Sequence, residues 1–385
     1  MESNVTPLEL ERRAAENAGR LIDLIDTNFH RNGLCFPAEP LIEEASRRLR
    51  QRRYQPQSKG LPAARRSIAE FYSVCGVPVD PENVIITASA SECYSLLFQA
   101  LADSGDGVAL PLPGYPLFEH VATYMRLVPS FYQTLIMERF RIDAGALAQA
   151  FKPQTRFLVL ISPNNPTGQV ATEAEIDIVL AFCAQYNLAL ICDEVFSDLL
   201  YDIESLPRPM ARAAEAGVVV FTINGVSKLF ASPDLKLSWI SVTGPPRKVR
   251  RAIGRLELAN DMYLSCSWLS QQLLPILFGC GDSFRSELRR DLTERRRILL
   301  DAIADMPRLQ LQRPTAGVHA VARLLPPQDD EQFALHLLRR TGVHLHPGYL
   351  YGLPEDGFVV LSFLKRPQAL QEGLARLGAF LRRAP

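Results

Sequence analysis

Short, unbroken apolar runs at 84–87, 108–112, 157–161, 188–192, 218–221 and 238–242 alternate with longer stretches of helical period between about residues 40 and 285. A run without polar alternation marks a strand covered on both faces, as in a parallel sheet whose crossovers are helices. This part of the chain therefore predicts an α/β fold with a mainly parallel sheet and helices on both sides. Arg285 to Met306 carries a long helical pattern that leads out of it. The character then changes to α+β, with strands near 318–324, 343–346 and 358–363 and helices at 330–340 and 367–382. At the other end, residues 1–27 read as an amphipathic helix and 28–37 as a loop or extended segment. The expected organisation is an N-terminal helix and extended segment (1–45) joining a small C-terminal domain (286–385), with a large domain between them (46–285).

Composition narrows the function. Among 385 residues, 42 basic and 42 acidic side chains cancel, which leaves no electrostatic footprint for nucleic acid or an anionic membrane. No run of 18 apolar residues and no charged-apolar-small leader is present, so a cytoplasmic protein is expected. Seven cysteines include no Cys-x-x-Cys pair, and Cys183 and Cys192 sit inside apolar runs, so they read as small buried side chains. His344 and His346 alternate along a strand-like stretch and read as structural or site-lining, with no metal site expected. Arg289-Arg290 and Arg295-Arg296-Arg297, interleaved with acids, read as a solvated helix face.

The candidate chemistry lies where apolar runs end. Lys228 sits in Ser227-Lys228 after Val218-Val219-Val220-Phe221, and Asp193 ends the run Leu188 to Cys192. Asn165 lies in Ser162-Pro163-Asn164-Asn165-Pro166-Thr167-Gly168 after the run Phe157 to Ile161. Ser89-Ala90-Ser91 joins Val84–Thr87 to a helical stretch, where small residues let backbone N–H groups and the positive helix end meet a phosphate. A cofactor with an aldehyde, a pyridine ring and a phosphate needs a lysine, a carboxylate for the ring nitrogen and donors for the phosphate.

In this order the elements resemble the class I/II aminotransferase family, fold type I enzymes that use pyridoxal 5′-phosphate (PLP), over roughly residues 28 to 375. The resemblance implies a large domain with a seven-stranded, mainly parallel sheet plus a smaller α+β domain. It also implies a homodimer acting on a small amino acid or amine. Lys228 would form the Schiff base and move the α-proton, Asp193 would pair with the pyridinium, and Asn165 would donate to the cofactor oxygen O3′. Tyr115 would stack on the ring. Ser89, Ala90, Ser91 and Ser227 would hold the phosphate, with Tyr54 reaching the partner's phosphate and Ser265 and Ser267 adding polar contacts across the interface. The same cofactor site serves elimination or replacement, decarboxylation, racemisation and amino-acid oxidation, and a non-catalytic binding protein is a further alternative.

Four positions depart from the family pattern. Lys236 stands where an arginine forks onto the phosphate, and Gly225 where a Ser or Thr contacts it. Phe196 replaces a tyrosine that donates to O3′. Val360, in Gly357-Phe358-Val359-Val360-Leu361-Ser362-Phe363, replaces the arginine that clamps the substrate α-carboxylate. Either Lys365, Arg366 or Arg323 takes over, or the substrate is not bound as a standard α-amino acid.

Overall fold

The computed structural model describes residues 5–51, 54–134 and 139–383. In chain order its strands are β1 (Ile22–Asp23), β2 (Val84–Thr87), β3 (Gly107–Leu112), β4 (Val128–Gln133), β5 (Thr155–Ile161), β6 (Ala189–Asp193), β7 (Val220–Gly225), β8 (Ser238–Thr243), β9 (Leu309–Gln312), β10 (His319–Leu324), β11 (Val343–His344), β12 (His346–Pro347) and β13 (Phe358–Ser362). Seven of them form one sheet in the order β2-β8-β7-β6-β5-β3-β4. Only β8 runs against its neighbours. Because β8 opposes both β2 and β7, β2 runs with the parallel set and its carboxyl end reaches the same sheet edge.

The expected runs supply six of these strands. β4 was not foreseen, because it lies at the sheet edge, is largely exposed and carries Pro129 and polar residues. An edge strand tolerates proline, since one side of its backbone has no ladder to complete. Residue alternation assigns the core. Leu158, Leu160, Leu190 and Cys192 pack on one face with Tyr72 and Trp239, while Val159, Ile161 and Ile191 pack on the other with Tyr94 and Phe98.

The N-terminal helix is shorter than the 1–27 stretch expected. It spans Pro7–Asn17, with Thr6 accepting from the Glu9 amide as its cap. Gly19 follows at φ +66°, a left-handed position that ends helices, and the chain turns into β1, paired in parallel with β11. Leu8, Ala15, Ile22 and Leu24 thereby join Leu299, Leu337, Leu361 and Leu374 in one core.

That core covers the outer face of a four-stranded antiparallel sheet, β12-β13-β10-β9. β9 was not foreseen, a four-residue edge strand with polar Gln310 and Gln312. The long helix is Asp282–Ala304. Its arginine cluster departs from a solvated face, since Arg295 and Arg296 are buried. Arg295 donates to the carbonyls of Asn32 and Leu364, and Arg296 to that of Pro314 and to Asp202, so they pin loops that border the site. No helix among the described residues is long and apolar enough to cross a membrane.

Candidate active site

Three neighbouring parallel strands, β5, β6 and β7, end side by side, and each hands the chain to one of the expected residues. β6 ends on Asp193 itself. β7 ends at Gly225, which leads into the short helix Val226–Leu229 carrying Lys228. The turn after β5 carries Asn165, and the Ser162 amide donates to the Asp193 carbonyl at 3.0 Å, tying that turn to β6. The carboxyl edge of a parallel sheet is where such folds bind ligands.

Asp193 is buried, 3% exposed. Its Oδ2 accepts from the Tyr94 hydroxyl at 3.0 Å and its Oδ1 from the Val195 amide at 3.1 Å. Neither donor is charged, and burial pushes the carboxyl up to about 6. Lys228 has the complementary problem. Its amine lies 5.1 Å from the Phe29 ring and 5.8 Å from the Phe196 ring, and burial lowers it to about 8. A buried carboxylate and a buried amine, each without an opposite charge among the described residues, are a matched pair of demands for a ligand that supplies a cation and an aldehyde.

The remaining expected residues divide. Asn165 lies at this edge with one amide atom, assigned as Oδ1, buried and without a partner. Rotating the amide by half a turn places a donor there, because the two ends have the same shape. Ser89 caps the helix Ala90–Leu101 by accepting from the Glu92 amide at 3.1 Å, which leaves its own O–H free to donate. The amides of Ala90 and Ser91 open the first turn, where a helix offers them no carbonyl. Tyr115 packs edge-on against Phe118 at 5.5 Å, and Phe118 against Tyr94 at 4.3 Å, so an aromatic stack runs from Tyr115 to the partner of Asp193. Ser227 is half-buried beside Lys228. Lys236 takes a left-handed backbone, φ +49°, in the turn before β8.

Gly225 has a local reason. A Cβ there would lie 2.3 Å from Ser238 Oγ, so the Ser238 hydroxyl occupies the space of a side chain at 225. Tyr54 is not brought to Lys228. It is 69% exposed and lines a separate cleft of about 150 Å³ with Ser265 and Ser267.

Sequence reasoning missed Tyr94, Phe29 and His319. Tyr94 lies one turn into an apolar helix, and Phe29 lies in a segment read only as loop. His319, 7% exposed, begins β10 with its ring 6.2 Å from that of Phe196, and burial near Lys228 drives it down to about 3. Strand pairing, invisible before the fold, is what brings it there.

A lysine, a carboxylate, an amide and a helix start gathered on one edge of a covered parallel sheet suit an aldehyde cofactor with a ring nitrogen and a phosphate. The profile "Aminotransferase class I and II" matches residues 28–377, and the chain belongs to that family, whose enzymes depend on PLP. It is 28% identical over 332 residues to the alanine aminotransferase of Mycobacterium tuberculosis, covering 84% of this chain and 77% of that one. With the glutamate-pyruvate aminotransferase AlaA of Escherichia coli it shares 26% over 381 residues, covering 97% and 93%. Among solved structures, a Thermus thermophilus aspartate aminotransferase double mutant superposes with a TM-score of 0.86 at 25% identity, covering 98% of this chain and 97% of that one. The alanine aminotransferase from Pyrococcus furiosus gives 0.91 at 23%, covering 98% and 96%, a likeness of fold.

Proposed function

We propose that this protein is a PLP-dependent aminotransferase that takes the amino group of an amino acid or amine, with Lys228 as the lysine that carries the cofactor. The observation that carries this reading is the placement of a buried Asp193 carboxylate and the Lys228 amine at one sheet edge, each without an opposite charge. When bound, the cofactor supplies an electron sink for the charge left on the substrate carbon after proton removal.

The chain's own groups do the rest. Asp193, held by Tyr94 and the Val195 amide, keeps the proton on the ring nitrogen. Lys228 Nζ holds the aldehyde. Displaced by substrate, it takes the proton from the reacting carbon as a neutral base, a role that its lowered pKa suits near neutral pH. Asn165 donates to O3′ and Tyr115 covers the ring. The Ala90 and Ser91 amides, with Ser89, Ser227 and Lys236, hold the phosphate.

The unit is a homodimer in this reading. Tyr54, Leu258, Met262 and Tyr263 are all more than 60% exposed, and Tyr54 borders the cleft that holds Ser265 and Ser267. A second copy covering this patch would bring Tyr54 to its neighbour's phosphate. Seven free cysteines suit the cytoplasm. The test is to incubate protein and PLP with a panel of amino donors and analyse products by mass spectrometry. Pyridoxamine phosphate and a keto product are expected; keto product with free ammonia would mean a lyase instead.

A further inference from the structure

Strand register settles the composition of the wall opposite the large sheet. His319 pairs with Ser362, Val321 with Val360, and Val360 also with His346. Opposed residues of antiparallel strands share a face, and Val321 lies two residues after His319. His319, Val321, Val360, Ser362 and His346 therefore present one surface. Its His319 end faces the lysine, because the His319 ring meets Phe196, whose ring lies 5.8 Å from Lys228 Nζ, while Val321 and Val360 are buried in one apolar cluster with Phe140, Tyr351 and Phe358. At its other side, His346 Nδ1 and the Tyr351 hydroxyl are hydrogen-bonded at 3.1 Å. The Tyr351 carbonyl accepts from the amide of Gly114, next to Tyr115, at 3.0 Å.

This surface is uncharged at neutral pH. Burial holds His319 near 3 and His346 near 4, and raises the Tyr351 hydroxyl. Two of the three candidate cations are engaged elsewhere. Lys365 pairs with Asp26 at 3.4 Å, and Arg323 pairs with Glu355 at 2.9 Å while lying over the Phe358 ring. Arg366 is exposed, its guanidinium against Gly33. A carboxylate brought up to this apolar Val321–Val360 cluster would lose its water and gain no counter-charge from it. His319, by contrast, makes no ring hydrogen bond among the described residues, and its ring nitrogens are not among the buried atoms left without a partner, so a neutral group can reach them.

We propose that this wall selects a primary amine whose group beside the reacting carbon is uncharged and hydrogen-bonding, a hydroxyl or a carboxamide, in place of the carboxylate of a simple α-amino acid. His319 and the His346–Tyr351 pair bind that group, and Val321 with Val360 excludes a charge. The inference rests on the aminotransferase reading, and two measurements separate their failures.

The first compares kcat/KM of the holoenzyme for matched donors: alanine with alaninol and alaninamide, leucine with leucinol, phenylalanine with phenylalaninol. The neutral member of each set should be favoured by at least about tenfold. His319→Leu should lower that preference about tenfold while the bound cofactor keeps its visible absorbance, and His319→Asn should restore part of it. Val360→Arg should turn the preference toward the carboxylate. The second is calorimetric binding of unreactive propionamide and propionate to the holoenzyme, with propionamide the tighter. Carboxylate donors that match or beat their neutral partners would overturn the proposal and leave the aminotransferase reading intact. If no donor turns over, that reading fails and the calorimetric order alone decides, propionamide no tighter than propionate overturning the wall's role.

Discussion

At the large-sheet wall, Asp193 ends a buried strand and Asn165 and Lys228 lie in the turns just past two others, whereas at the small-sheet wall His319, His346 and Val360 meet only because β10, β12 and β13 pair in one register. The first wall concentrates ionisable groups that a cofactor with a cationic ring and an aldehyde would satisfy. The second carries no charge, although Lys365, Arg366 and Arg323 lie in the neighbouring segments. In the proposed reading, bond-making is anchored on one sheet and substrate choice on the other. Substitutions on the two walls should fail in different ways: loss of all reactions on one, a changed order of substrates on the other.

The largest effect is expected at Lys228. Lys228→Ala should lower turnover of every donor by at least about a thousandfold, since holder and base are lost together. Asp193→Asn comes next, with a loss on the order of a hundredfold or more in kcat and a pH signature in the cofactor-free protein. The Asp193 carboxyl titrates near 6 when folded, against its ordinary 3.8, so ionising it opposes folding. Its favourable contribution is complete below pH about 4 and lost as pH rises through 6. The cofactor-free asparagine variant should therefore be the more stable protein above pH 6, by on the order of 3 kcal/mol, with the gap closing below about pH 4. Thermal melts of both proteins across that range measure it, and a gap independent of pH would contradict the burial argument.

Mixing inactive Lys228→Ala chains with inactive Tyr54→Ala chains sharpens the comparison between subunits. Random exchange makes half the dimers mixed, each with one of its two sites intact, so roughly a quarter of wild-type activity should return. No recovery after proven exchange would place Tyr54 outside the site. The smallest effect is expected at Phe196, which touches both walls. Phe196→Tyr supplies a donor toward O3′ and should lower, by about one unit or less, the pH at which the holoenzyme's visible absorbance changes. An unchanged or raised midpoint would mean that residue 196 does not adjoin O3′.

The contrast between walls also explains what could be read from the chain. Asp193 was legible because it ends an apolar run that marks a buried strand, so it lands at the sheet edge, whereas Lys228, seven residues past Phe221, was picked out by its place in the ordered set of motifs that resembles the family. β4 and β9 were not, because edge strands need no such run. The burial of Arg295 and Arg296 was hidden for a similar reason. Their neighbours Asp291 and Glu294 give the pattern of a solvated face, while the carbonyls they serve, at Asn32, Leu364 and Pro314, lie far away in sequence. Val360 could be flagged only because it stands where the resembled family places an arginine. That it stands beside His346 and Val321 is a property of pairing alone.

Borohydride reduction of the purified PLP-loaded protein, followed by peptide mapping, tests the central claim most directly. The account predicts loss of the visible absorbance and one reduced adduct on the peptide containing Lys228, with none formed in Lys228→Ala. An adduct on another lysine, or one that persists in Lys228→Ala with turnover intact, would contradict it.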